Sequence, residues 1–254
     1  MNIALLIPCT SKGRDEWITM KDTYLYNYTL KTFLLTQNKE YNYTFYIGYD
    51  EEDRIYSKST EQHVIKLFET VFKNVTFKFI LLSGVEKGHV TKMWNILFKQ
   101  AYDDGCEYFF QCGDDIYFKS NNWVKDCITE LQLHDNIGLT GPLNNNNRIL
   151  TQAMISRTHM EIFGYLFPEE IINWCCDDWY NFVYRPNYFY PLHQHFCSNE
   201  GGLPRYEINN DVHFVDDYPN KVSQLRKHAS ELAENDKQKI YDYVAAKSQK
   251  IFKK

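Results

Sequence analysis

The sequence predicts an α/β fold: a mainly parallel sheet flanked by helices, followed by a C-terminal helical tail. Three observations lead there. Apolar strand-like runs alternate with helix-periodic segments through the first half of the chain, the pattern of strands joined by crossover helices. The opening run Ile3 to Pro8 is apolar without polar alternation, as in a strand buried on both faces. Aromatic residues are abundant, with 20 Tyr and 17 Phe, while Gly and Pro are sparse, which describes a packed globular protein rather than a disordered one.

Taken in order, residues 3–8 read as a strand, 21–36 as a helix, 43–49 as a strand, 59–73 as a helix and 75–82 as a strand. Val90, Met93, Trp94, Leu97, Phe98, Ala101 and Tyr102 then recur at helical spacing, and Asp103-Asp104-Gly105 ends that helix before a strand over 107–112. From about Asn121 to Asn220 the chain is less regular and richer in Trp, His and Pro. No linker composition separates the two halves, so residues 1–220 read as a single domain and 221–254 as a helical extension. In the tail nine Lys and Arg outnumber four Asp and Glu. Val222, Leu225, Ala229 and Leu232 mark one helix, and Ile240, Tyr243, Val244 and Ile251 a second, both expected to pack on the body.

Charge and composition exclude some functions. A formal net charge of −5 argues against a general nucleic-acid binder. The N-terminus carries no basic n-region, and its apolar run is too short for a signal peptide or membrane span. Seven cysteines form no CxxC pair. A reduced, cytoplasmic environment is the expectation, and the sequons at Asn27, Asn42 and Asn74 are read as chance.

The segment that carries chemistry is Tyr108-Phe109-Phe110-Gln111-Cys112-Gly113-Asp114-Asp115-Ile116-Tyr117-Phe118. Two adjacent carboxylates at a strand end, set among aromatic rings, repel each other and resist desolvation. A divalent cation would compensate them. A solvated acidic hairpin turn has the same sequence. Ligands of parallel sheets bind beyond the carboxyl ends of the strands. Asp114 and Asp115 sit at such an end, as do Pro8-Cys9-Thr10 and Tyr49-Asp50, so three strand ends are expected to share one crevice.

These motifs together, over roughly residues 2–215, resemble the metal-dependent nucleotide-sugar glycosyltransferases of the GT-A fold. Pro8-Cys9-Thr10-Ser11-Lys12-Gly13-Arg14 looks like the family's first nucleotide-contacting loop, Asp50 like the acid that reads the base, and the segment Gly88 to Asn95 like one that touches nucleotide and sugar. Gly113-Asp114-Asp115 stands in the place of the DxD motif, with Gly113 replacing its first acid. The resemblance implies a Rossmann-type sheet, with residues 1–120 as the nucleotide-sugar-binding half and 121–220 as the acceptor-side half. It implies Asp115 as the direct ligand of Mn²⁺ or Mg²⁺, Asp114 facing ribose or sugar or sharing the metal, and His213 as a third ligand. The donor would be a nucleoside-diphosphate sugar. Uridine is preferred, because the small loop at Thr10 and the acid Asp50 suit a pyrimidine edge. Pro8, Thr10, Arg14, Asp50, Lys92, Asn95 and Asp114 are the expected donor contacts. Lys92 and Asn95 stand three apart on the helix after Gly88, on the face opposite Met93 and Leu97.

The second acidic cluster, Cys175-Cys176-Asp177-Asp178-Trp179, resembles the place where inverting members hold a base for the acceptor hydroxyl. Asp178 is the first choice and Asp177 the second, with Asp177 as a helix cap the plainer alternative. Alternating His193, His195 and Cys197 raise a weaker thought of Zn²⁺. Trp174, Trp179, Tyr180 and Tyr188 could stack on sugar or fill the core. Two other classes compete: a sugar- or nucleotide-binding module without catalysis, and the GDD hairpin of a nucleotide polymerase palm. The palm requires a further metal-binding Asp on an earlier strand and a basic channel.

Overall fold

The computed structural model describes residues 1–202 and 205–251, the last two by their backbone alone. Its centre is an eight-stranded sheet of β1 (Asn2–Cys9), β2 (Asn42–Tyr49), β3 (Val75–Leu81), β4 (Tyr108–Gln111), β5 (Ile116–Phe118), β6 (Leu139–Leu143), β7 (Ala153–Ser156) and β8 (Phe189–Asn199). The order across the sheet is β3-β2-β1-β4-β7-β6-β8-β5. β3, β2, β1 and β4 are mutually parallel. β7 then runs antiparallel to β4 and β6, β8 parallel to β6, and β5 antiparallel to β8. The α/β reading therefore holds, with an antiparallel extension on its second half.

Among the described residues seven α-helices cover the two faces: α1 (Lys31–Thr36), α2 (Ser59–Lys66), α3 (Val90–Asp103), α4 (Trp123–Leu133), α5 (Thr158–Phe163), α6 (Cys176–Tyr184) and α7 (Tyr218–Ile251). The unbroken apolar run of β1 follows from this double cover. Ile3, Leu5, Ile7 and Cys9 enter the core under α1 and α4, while Ala4 and Leu6 enter the other, with α3, α5, α6 and α7. Where α3 crosses β2, Gly48 leaves no room for a side chain. A Cβ there would stand 3.0 Å from Leu82 and 3.1 Å from Leu97.

Three expected elements differ. The helix over 21–36 is broken into a 3₁₀ turn (Met20–Asp22), a π-helical turn (Leu25–Leu30) and α1. The wide turn and the start of α1 bring Thr29 and Thr32 against β5, where their hydroxyls accept the N–H groups of Ile116 (2.9 Å) and Phe118 (3.0 Å). β5 pairs on one side with β8, so these bonds satisfy donors on its other edge and fix the strand that leaves Asp115. The helix over 59–73 ends at Lys66 and tightens into a 3₁₀ turn, Leu67–Thr70.

The tail is one 34-residue helix rather than two. Ala229, Ala233 and Ile240 are buried in the body, and Asp236 accepts hydrogen bonds from Trp179 Nε1 and Tyr165 Oη, both at 3.1 Å. The side chain of Ile251, expected on its apolar face, lies outside the described residues. All seven cysteines are free and buried. Among the described residues no helix is long and apolar enough to cross a membrane.

The first core is held by aromatic edges. Phe33 on α1 is fully buried and meets Tyr43 and Phe45 edge-on at 4.9 and 5.1 Å, with Phe118 and Trp123 behind. Phe33→Ala is expected to cost about 3–5 kcal/mol in denaturant unfolding, the cost of a large cavity that rigid rings cannot refill.

Candidate active site

The parallel half of the sheet places the carboxyl ends of β1, β2 and β4 side by side. The turn after β1 is organised by a residue the sequence reading passed over. Asp53 is buried and accepts the Ser11 N–H (2.7 Å), the Ser11 hydroxyl (3.0 Å) and the Thr10 hydroxyl (3.3 Å). It also accepts the N–H groups of Ile55 and Tyr56 at 3.0 and 2.9 Å. One carboxylate thus fixes both the loop at Thr10 and the loop after β2. A cavity of about 260 Å³ opens between them, bordered by Thr10, Asp50 and Lys87. Pro8 lies within β1, paired with Gly48, rather than in the loop.

Across the crevice Asp114 and Asp115 take different partners. Asp114 is fully buried and paired with both terminal nitrogens of Arg205, which also donates to the Thr10 carbonyl oxygen at 3.2 Å. Tyr206, the next residue, donates from Oη to Asp50 at 2.8 Å. Arg205 and Tyr206 therefore link all three strand ends, one of them through each predicted acid, Asp50 and Asp114. Asp115 is different. Among the described residues no cation lies within ion-pair distance, and burial, reinforced by the charge of Asp114, raises its carboxyl to about 6. Glycines make its space: a Cβ at Gly201 would fall 1.9 Å from Asp115 Oδ2, and one at Gly113 2.6 Å from Oδ1. Arg14 stands nearby, donating to the Gly201 carbonyl oxygen at 2.9 Å.

The second acidic cluster opens α6. Gly113, Arg205, Asp177 and Asp178 all border one cavity of about 590 Å³ that also has Trp94 and Trp174 in its wall. Asp178 is buried and taken by two guanidinium groups: Arg148 Nη1 is hydrogen-bonded to Oδ1, and Arg226 Nε of α7 lies 3.4 Å from the same oxygen. Asp177 has no cation within ion-pair distance among the described residues. Its Oδ1 accepts the N–H of Asp178 at 3.0 Å, and burial together with the Asp178 charge raises its carboxyl to about 7. The helix begins at Cys176, one residue before Asp177, so Asp177 sits in the first turn rather than at the cap.

Thr10, Asp50 and Asp114 are thus linked through Arg205 and Tyr206, Arg14 and Asp115 both approach Gly201, and Asp177 and Asp178 border the larger cavity. Four expected positions lie elsewhere. Asn95 spends its amide on the backbone of a later segment, accepting from Leu166 and Phe167 N–H and donating to the Phe167 carbonyl oxygen at 2.9 Å. Lys92 points to Glu169 at 3.7 Å. That polar face of α3 is covered by residues 166–172, and the helix presents Val90 and Trp94 to the cavity instead. His213 is 80% exposed and pairs with Asp216 at 3.6 Å. Pro8 is the fourth.

Among the described residues no three His, Cys, Asp or Glu side chains gather closely enough to hold a metal by themselves. The exposed His193 and buried His195 do not form a cluster with Cys197: His195 Nε2 lies 2.7 Å from Asp126. Trp179 and Tyr180 are core residues, and only Trp174 of the supposed aromatic platform borders the cavity. Sequence reasoning missed Arg205, Tyr206, Asp53, Arg148 and Arg226. The one signal toward an arginine was electrostatic: a buried acid such as Asp114 needs a cation.

No family model and no curated protein sequence matches the chain. Solved structures do resemble it. The S. aureus TarS 1–349 structure in complex with UDP aligns with 93% of this chain and 70% of its own at a TM-score of 0.53 and 13% identity. The complex of the same piece with UDP-GlcNAc gives 0.52 at 15% identity, covering 81% of this chain and 60% of that one. Longer S. aureus TarS gives 0.52 at 14% identity over 77% of this chain, which spans only 36% of that protein. The likeness is one of fold, that of a GT-A-like α/β domain.

Proposed function

We propose that this chain is a glycosyltransferase that moves a sugar from a nucleoside-diphosphate sugar, with UDP as the carrier, to an acceptor hydroxyl, assisted by Mn²⁺ or Mg²⁺ and with inversion. One observation carries the reading. Asp115 and Asp177 have no cation within ion-pair distance among the described residues, and burial holds each above the usual carboxylate range; Asp177 borders the cavity that Gly113 and Arg205, neighbours of the first acidic cluster, also line. The TarS structures with UDP and UDP-GlcNAc lend the fold a precedent for such a donor.

The residues fit a divalent cation through Asp115. A half-buried carboxylate beside a second, fully buried one, in a space kept open by Gly113 and Gly201, is a group in need of positive charge. The bound ion would supply charge stabilisation for the departing diphosphate. Asp114 acts through Arg205, holding a guanidinium between the strand ends where it can bind phosphate. Asp50 and the Thr10 loop bind the nucleoside, with Asp53 as their positioning residue. Asp177 takes the proton of the acceptor hydroxyl. It replaces Asp178 in that role, because a carboxylate already shared by two guanidinium groups is a poor base.

The polymerase alternative loses support from the same contacts. Asp50 is bonded to Tyr206 and Asp53 is spent on two loops, so neither is available as the further metal-binding acid. The test is turnover: incubation with UDP-sugars, Mn²⁺ and a hydroxyl acceptor panel, with UDP release and product followed by NMR. Transfer with an inverted anomeric centre is the expected result. Tight UDP binding with neither hydrolysis nor transfer would instead indicate a binding module.

Arg205 provides a further prediction. Arg205→Ala should weaken UDP affinity by about 10- to 100-fold, the loss of a charge-assisted contact to the diphosphate together with exposure of an unpaired Asp114. Arg205→Lys should restore little, since one ammonium cannot span both carboxylate oxygens. Calorimetric titration with UDP measures both.

A further inference from the structure

We propose that the large cavity takes an acceptor bearing an anionic group, a phosphate or a carboxylate, seated on Arg148 and Arg226 beside the hydroxyl that Asp177 deprotonates. The inference rests on the glycosyl-transfer reading and adds the acceptor's chemical class to it.

The charges around Asp178 do not balance. Arg148 from the loop after β6 and Arg226 from α7 approach the same oxygen, Oδ1, so one carboxylate answers two guanidinium groups. A third, Arg185, stands behind them. It donates to the Arg148 carbonyl oxygen at 2.8 Å and lies over the Phe189 ring at 4.3 Å, with no carboxylate in ion-pair distance among the described residues. Asp177 makes up only part of the deficit, because its carboxyl titrates near neutrality. The result is local positive charge in a chain whose net charge is −5.

Such an arrangement is costly unless something answers it. Like charges held together in a recessed site raise the free energy of the folded state, and Arg226 Nε is buried without a hydrogen-bond acceptor. The side chains of Arg148 and Arg226 nonetheless remain 39% and 43% exposed, and both border the cavity. Guanidinium groups match planar carboxylate and phosphate oxygens in pairs. The amides of Asn144, Asn145, Asn173 and Asn199 in the same wall are bonded to backbone groups, so the two guanidinium groups, with five donors each, are the side chains that have donors left for a ligand. The helix α7 contributes Tyr218, Val222 and Arg226 at four-residue spacing to the same wall, so the tail builds part of the acceptor site.

The test compares glucose, glucuronate and glucose 6-phosphate as probes, binding to the full chain saturated with UDP and Mn²⁺, by NMR titration. At least one anionic probe is expected to bind 10-fold or more tightly than glucose, with affinity falling as salt rises. The two anionic arms separate carboxylate from phosphate. Arg226→Gln leaves the Arg148–Asp178 pair in place and should abolish the anionic preference while UDP affinity and melting temperature hold. Equal binding of all three probes, or an anionic preference untouched by Arg226→Gln and Arg185→Gln, would overturn the proposal. Loss of UDP affinity in Arg226→Gln would assign the arginines to the donor and overturn it as well. Failure of UDP itself to bind the unaltered chain tells against the donor reading separately.

Discussion

Asp115→Asn is expected to abolish the Mn²⁺ dependence of UDP binding while leaving the fold intact. Among the described residues Asp115 has no cation within ion-pair distance, since Arg205 is bound to Asp114. Removing its charge takes away the protein's anchor for the metal. A loss of about 3 kcal/mol, a charge-assisted contact and its electrostatics, corresponds to roughly 100-fold in affinity. The pH dependence follows from the same carboxyl. Raised to about 6, it is largely protonated at pH 5 and must give up its proton to hold a metal, so Mn²⁺-assisted UDP affinity should rise through pH 6 and level off above 7. Its raised folded value also means that the folded state binds this proton more tightly than the unfolded chain. Stability without metal should therefore fall as pH rises from about 4 to about 6, and the Asn variant should escape that fall. Calorimetry with UDP and Mn²⁺ at several pH values, alongside melting curves, measures all of this. A variant that keeps wild-type Mn²⁺-dependent affinity would show that Asp115 is not the ligand.

Much of the parallel half was legible because its signals are local. The strands Asn2–Cys9, Asn42–Tyr49 and Tyr108–Gln111 are apolar on both faces, and α3 repeats its apolar positions at helical spacing, so existence and type follow from periodicity alone. The convergence of Thr10, Asp50 and the Asp114-Asp115 pair then follows from parallel topology. What sequence could not reveal was the cover laid on these elements by later chain. Lys92 and Asn95 have the composition of a ligand-facing helix face, but residues 166–172 lie over it and consume the Asn95 amide. Asp114 and Asp115 are adjacent in sequence, yet an arginine 91 positions away makes them unequal. The preference for Asp177 over Asp178 as the proposed base turns on Arg148 and Arg226, which are 30 and 48 positions from Asp178 and marked by no local pattern. The break in the helix over 21–36 has a similar cause, since its two threonine hydroxyls serve the edge of β5.

Asp177→Asn is expected to reduce kcat by about 10² to 10⁴, the usual cost of losing a general base, with UDP affinity nearly unchanged because the donor is held at the other acidic cluster. Two features of Asp177 argue for the role. It borders the large cavity at the start of α6, and burial with the neighbouring Asp178 charge places its carboxyl at about 7, where a base accepts a proton readily yet remains half ionised at neutral pH. The wild-type kcat should therefore climb with pH and reach a plateau above about 7, and the Asn variant should lose that rising limb. Stability should move the opposite way. A carboxyl raised from 3.8 to about 7 on folding retains its proton in the folded state across that interval, so wild-type stability falls as pH increases from about 4 to 7. At pH 8 the Asn variant should melt at the higher temperature, and near pH 3 the two should converge. Asp178→Asn tests the alternative assignment. It leaves Arg148 and Arg226 without their shared carboxylate, so it should destabilise the fold and disturb acceptor binding while keeping the pH limb that belongs to Asp177. Product NMR joins these measurements to the stereochemistry, because a single base on the acceptor side serves direct displacement. A product that keeps the donor's anomeric configuration, or an Asp177→Asn enzyme with unchanged kcat and an intact pH limb, would remove Asp177 from the reaction.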